Sequence, residues 1–273
     1  MFRDYSDLIS RFQANPANAL LYYLILIIAI LISLILHENA HGLVALWCGD
    51  PTAKMLGRLS LNPAKHLDPI GTISMILFRF GWAKPVPIDS RNFRHYRRDF
   101  IFVSLAGIAM NLILFLTCMA ISIPLNQVLW NDALPASIKP IEMYDAPYFA
   151  VYTGVFDTSS FFKGNLTLFP EAITGFMRAP ALMYLQFFLQ AMASVNLSLA
   201  IFNLLPIPPL DGFRLIQGAS NGRVRITPQA MQIIQIVTIV LLFTGVISRI
   251  LNYIYSPVYQ GTFSLLLKIF GLR

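Results

Sequence analysis

Four stretches of this chain stay apolar over the roughly 20 residues that a helix needs to cross a bilayer. They run from Ala19 to Cys48, Phe100 to Val128, Ala179 to Leu205 and Thr227 to Ile247. Two further apolar runs are too short to span. Pro69 to Phe78 reads as a re-entrant or buried segment, and Thr262 to Leu272, interrupted by Lys268, as an amphipathic tail on the interface. The expected fold is an all-α membrane protein: a polytopic helical bundle of about four spans, with a short extended or re-entrant element after the first span. Residues 1–18 form an N-terminal extracytoplasmic or interfacial segment, 19–125 and 179–250 the catalytic membrane domain, 126–178 an extracytoplasmic insertion and 251–273 a C-terminal interfacial tail.

Composition agrees with the membrane setting. The chain is 56% hydrophobic and 12% charged, with a mean hydropathy of +0.64, too little charged surface for a soluble domain of this length. The first stretch is much longer than a signal-peptide core and is expected to be retained. Lysine and arginine set an orientation. Nine of the twenty fall between Gly49 and Asp99, whereas 126–178 holds Lys139, Lys163 and Arg178 against five acids. The first loop is therefore expected in the cytoplasm and 126–178 outside. The net charge of +7 suits anionic lipid, and no nucleic-acid motif is present. Arg91, Arg94, Arg97 and Arg98 read as a membrane-edge anchor. Cys48 and Cys118 form no spacing pattern and read as packing residues. Tyr144, Tyr148, Phe149, Tyr152, Phe156, Phe161 and Phe162 read as an interfacial aromatic belt, in a segment expected to screen access by substrates with bulky outer domains.

The chemistry sits inside the first apolar stretch. From Gln13 to Cys48 the only ionisable side chains besides the tyrosines and Cys48 are those of His37-Glu38-Asn39-Ala40-His41. Positions i and i+4 share a helix face, so both imidazoles can point at one metal ion, and Glu38, about a third of a turn away, can serve as a general base towards water. Ionisable groups in hydrocarbon are costly enough to mark a functional site. A catalytic zinc site usually takes three protein ligands, and the expected topology offers Asp211, His66 and Asp68 on the same side of the membrane. Asp211 follows Pro206, Pro208 and Pro209, which stop a helix, and precedes Gly212, which permits a sharp turn. The surroundings of His66 and Asp68 look more like turn chemistry.

At this point the chain resembles the site-2 protease family of intramembrane zinc metalloproteases, in its compact prokaryotic form without a PDZ domain. His37-Glu38-x-x-His41 matches the first family motif and Asn203-x-x-Pro206-x-x-x-x-Asp211-Gly212 the second. Similar stretches are Gly57 to Pro63 with His66 to Pro69, then Gly81 to Pro87, then Ala106-Gly107-x-x-x-Asn111. The chain departs from the family in having Ile108 after the Ala-Gly pair and Phe213 after Asp211-Gly212.

The resemblance implies one Zn2+ per chain, held by His37, His41 and Asp211, with Glu38 as catalytic base. It implies contact with substrate or the reacting carbonyl for Asn111 and Asn203, the latter open also to a role as cap or as support for a ligand. Implied too are substrates that are single-span membrane proteins or signal-peptide remnants, and a multi-pass location in a bacterial or archaeal membrane with the site towards the cytoplasm. Two other classes stay open from the residues alone. One is a metal-binding transporter, sensor or catalytically inactive homologue. The other is a membrane-anchored zincin acting on soluble substrates.

Overall fold

The computed structural model describes residues 12–13, 15–69, 71, 83–134, 136, 138–147, 173–179, 181–220, 223–224 and 226–272. These residues contain seven α-helices and no strand: α1 (Pro16–Trp47), α2 (Thr52–Met55), α3 (Tyr96–Leu129), α4 (Ala181–Leu204), α5 (Asp211–Ala219), α6 (Pro228–Phe243) and α7 (Val246–Ile269). Helices α1, α3 and α4 are each long and apolar enough to cross a membrane, and α6 with α7 makes a fourth span if the bent pair counts as one. The chain is an all-helical, multi-pass membrane protein. Most of the candidate re-entrant run Pro69–Phe78 lies outside the described residues, as do Gly81, Trp82, Tyr148, Phe149, Tyr152, Phe156, Phe161 and Phe162.

Helix limits depart from the apolar runs for physical reasons. Helix α1 begins three residues before Ala19, because Pro16 suits a first helical turn and Asn15 Oδ1 accepts the backbone N–H of Asn18 at 3.1 Å. Helix α3 begins at Tyr96, since Asp99 Oδ2 accepts the N–H of His95 at 2.7 Å and so caps a polar first turn invisible to hydropathy. The stretch Thr227–Ile247 is divided at Thr244–Gly245, and the segment read as an interfacial tail belongs to the long helix α7.

Two compact units divide the chain, with boundaries that fall inside α1, α3, α4 and α7. The first includes Leu31–Leu114 and Val195–Tyr259. Within it, Asn196 Nδ2 donates to Ser33 Oγ at 2.8 Å, a buried polar tie between α4 and α1. The loop after α1 is organised by Asp50, which is fully buried and accepts from the N–H and hydroxyl of Thr52, the N–H of Asp89 and Nδ2 of Asn92. Burial works against its charge, but these hydrogen bonds outweigh burial and hold the carboxyl below the usual carboxylate range. The expected extended element is present: Ala83 pairs with Leu67, and the N–H of Lys84 donates to the carbonyl of His66 at 2.7 Å.

In the second unit, which includes Phe115–Ser194 and Gln260–Arg273, Tyr22, Leu129, Trp130, Met183 and Phe187 belong to one buried cluster. Tyr144 is not part of an interfacial belt. It packs against Ile123, Phe263 and Leu267, with its hydroxyl 2.7 Å from Ser122 Oγ, because a buried phenol needs a polar partner for its O–H. The two ends of the 126–178 insertion are fastened together: Trp130 pairs with Met177, the N–H of Asn131 reaches the carbonyl of Phe176 at 2.8 Å, and that of Arg178 reaches Leu129 at 2.9 Å.

Candidate metal centre

All the residues of the centre lie in the first unit. His37 and His41 are one turn apart on α1 and face inward, 5% and 3% exposed. Asp211 opens α5. The proline-rich turn after α4 leads into it, with Leu210 extended at the helix cap. Gly212 is needed for a reason other than a sharp turn: a Cβ there would stand 2.3 Å from the carbonyl oxygen of Leu204 and 2.6 Å from that of Leu205. Only a bare Cα lets α5 start so close to the end of α4, and this closeness aims the carboxylate at the histidines.

Three donor atoms converge. The two Nε2 atoms are 3.1 Å apart, and each is 3.2 Å from Asp211 Oδ2. Ligands bound at about 2.0–2.1 Å with tetrahedral angles stand about 3.3 Å from one another, so these spacings match three corners of a zinc tetrahedron. The set also has the right chemistry, two imidazoles and one carboxylate, and it is the three-donor group found among the described residues.

The surroundings fit the centre closely. A Cβ on Gly107 of α3 would stand 2.4 Å from His37 Cε1 and 2.5 Å from His41 Nε2, so α3 presents bare backbone to both rings. His41 Nδ1 lies 2.7 Å from the carbonyl oxygen of Val103, and His37 Nδ1 lies 3.1 Å from Nδ2 of Asn111. On the non-facing side of the carboxylate, Arg214 Nη1 is 3.9 Å from Asp211 Oδ1. A cavity of about 420 Å³ opens beside His41, walled by Val86, Phe93, Phe100, Val103 and Arg214 among others.

Glu38 is next to the centre in sequence and half-buried. Its Oε2 accepts the backbone N–H of Val86 at 2.8 Å, so the extended element holds the carboxylate. Asn39, the next residue, is fastened to the loop after α2, since its amide pairs with Ser60 in both directions, N–H to Oδ1 at 3.0 Å and Nδ2 to carbonyl at 2.8 Å.

The rival donors are engaged elsewhere. His66 Nε2 lies 2.7 Å from the carbonyl of Ser60, and Asp68 Oδ1 accepts the N–H of Gly71, as turn chemistry would have it. Asn203, half-buried in the last turn of α4, makes no side-chain hydrogen bond to the centre. The contacts of Val103, Gly107 and Val86 were not foreseeable from spacing. They depend on how α1, α3 and the extended element are set against one another, and the one local trace of this is the glycine at 107.

A helical membrane protein with two histidines and an aspartate converging in an apolar bundle, and a glutamate beside them, has the makings of a membrane metalloprotease. Residues 25–245 match peptidase family M50. Over 261 residues the chain is 31% identical to YwhC of Bacillus subtilis (strain 168), whose name assigns it provisionally to the zinc metalloproteases, with 96% of each chain covered. No solved structure matches the chain. The chain belongs to peptidase family M50, the site-2 proteases, and is a membrane zinc protease that hydrolyses peptide bonds.

Proposed function

We propose that this protein is an intramembrane endopeptidase, cutting the transmembrane segments of single-span tethered proteins or signal-peptide remnants near the cytoplasmic side of a bacterial or archaeal membrane. The observation that carries the reading is the convergence of His37 Nε2, His41 Nε2 and Asp211 Oδ2 within 3.1–3.2 Å of one another in an apolar helical setting. These three atoms would hold one zinc ion. When bound, zinc acidifies water and polarises the carbonyl it touches.

The rest falls to the chain's own residues. Glu38 takes the proton of the attacking water and returns it to the leaving nitrogen. The N–H of Val86 keeps the Glu38 carboxylate in one orientation before substrate arrives, and Val103 fixes the ring of His41. The apolar walls of the cavity beside His41 receive a substrate side chain and limit water near the reacting bond.

The test is a comparison of purified full-length wild type with Glu38→Gln and Asp211→Ala. Glu38→Gln should keep about one zinc per chain while losing hydrolysis of a model transmembrane peptide, and Asp211→Ala should lose both. Zinc loss in Glu38→Gln equal to that of a His37→Ala control would overturn the roles.

A further inference from the structure

An imidazole that gives one nitrogen to a metal must dispose of a proton on the other. We propose that Asn111 is a positioning residue for the metal centre: its side-chain carbonyl accepts the proton of His37 Nδ1 and so turns the lone pair of Nε2 towards zinc. This rests on the reading that His37 and His41 bind zinc, and it gives Asn111 a task different from holding substrate.

Both Nε2 atoms face Asp211 Oδ2 and each other, so both Nδ1 atoms face away. For His41 the outcome is settled by its neighbour. The carbonyl of Val103, 2.7 Å away, can only accept, so Nδ1 carries the proton and Nε2 the lone pair. His37 faces an amide instead, which can offer either an acceptor or a donor. With Nδ2 turned to His37 at 3.1 Å, Oδ1 of Asn111 is buried without a partner.

That orientation also gives the wrong tautomer. An N–H donated to Nδ1 makes Nδ1 the acceptor and moves the ring proton to Nε2, where it points at His41 and Asp211 and leaves no lone pair for a metal. Half a turn of the amide puts Oδ1 against Nδ1–H, and both histidines then present the same tautomer. The environment makes the choice matter: Asn111 is 0% exposed and His37 5% exposed, so no bulk water can replace the contact. Asn111 is also one helical turn beyond Gly107, so the same face of α3 that lies bare against the rings supplies the acceptor.

The test uses the full chain in detergent, with zinc affinity read by competition against a chromophoric chelator and ligand geometry by the visible spectrum of the Co2+ form. Asn111→Leu, close in volume but without an acceptor, should weaken zinc binding roughly 10- to 100-fold and alter the cobalt bands. Asn111→Asp, which accepts but does not donate, should restore affinity to within about threefold of wild type and restore the bands, because orienting partners of this kind act through acceptor strength. A general packing role would not distinguish aspartate from leucine in this way. Asn111→Ala replaces the leucine variant should that one not fold. Wild-type zinc affinity in the leucine or alanine variant, or an aspartate variant as weak as leucine, would overturn the proposal. A wild-type chain that binds no zinc would instead overturn the ligand reading beneath it.

Discussion

At the scale of single residues, the centre depends as much on an absent side chain as on its donors. Gly107→Ala would place a methyl 2.4–2.6 Å from the His37 and His41 rings, well inside van der Waals contact, with backbone on the α3 side that cannot yield. It should cost at least about tenfold in zinc affinity, measured by chelator competition, while helix content by circular dichroism is kept. A Gly107→Ala chain that binds zinc as wild type does would mean that α3 does not abut the rings. His37, His41 and Asp211 were legible in the sequence because an i,i+4 pair on a helix is a local property and the prolines before Asp211 force a turn. The contact of Asn111 with His37 was not legible, since it joins residues 74 apart in sequence. An asparagine inside a span looks the same whether it holds a substrate or a histidine.

At the scale of elements, the loop between α1 and α3 is held by one buried carboxylate and one buried amide. Asp50→Ala would strand the donors of Thr52, Asp89 and Asn92. Hydrogen bonds to a charged acceptor contribute about 1.5–3 kcal/mol each and are not additive, so a loss of about 3 kcal/mol is expected, read as a lowered Tm in detergent. The pH dependence has a definite sign. The folded carboxyl has the lower pKa, so its contribution is complete above about pH 4, where the unfolded carboxyl ionises, and is lost as pH falls through the folded value. The gap in Tm between wild type and Asp50→Asn should therefore be constant from pH 7 to 5 and shrink below pH 4; a gap that widens with acid would refute the assignment. Apolar length announced the spans, yet the capped polar turn at Asp99 and the break at Thr244–Gly245 needed hydrogen bonding and bending that hydropathy does not register. The pairing of Asn39 with Ser60 was equally hidden, because a polar residue inside His-Glu-x-x-His reads only as a spacer.

At the scale of the whole molecule, the charge bias predicts that the Arg91 loop is cytoplasmic and Asp132 outside. Arg91 and Asp132 have exposed side chains, while Cys48 and Cys118 are buried, so a cysteine at either position should dominate labelling wherever the reagent can reach it. Arg91→Cys should react with an impermeant maleimide only after the inner compartment is opened, and Asp132→Cys directly; the reverse pattern would turn the centre towards the other face. The pairing of Leu129–Asn131 with Phe176–Arg178 has a consequence for how such a protein can change. A connection whose ends are already joined costs only about 0.6 kcal/mol more for each doubling of its length, so natural selection and the protein engineer alike can lengthen, shorten or exchange the chain between those ends without retuning the zinc chemistry. Replacing 148–172 by a short flexible linker should leave zinc content unchanged and alter only which substrates, by the bulk of their outer domains, are cut. The insertion is in this sense a socket for variation, open to change while His37, His41 and Asp211 stay as they are.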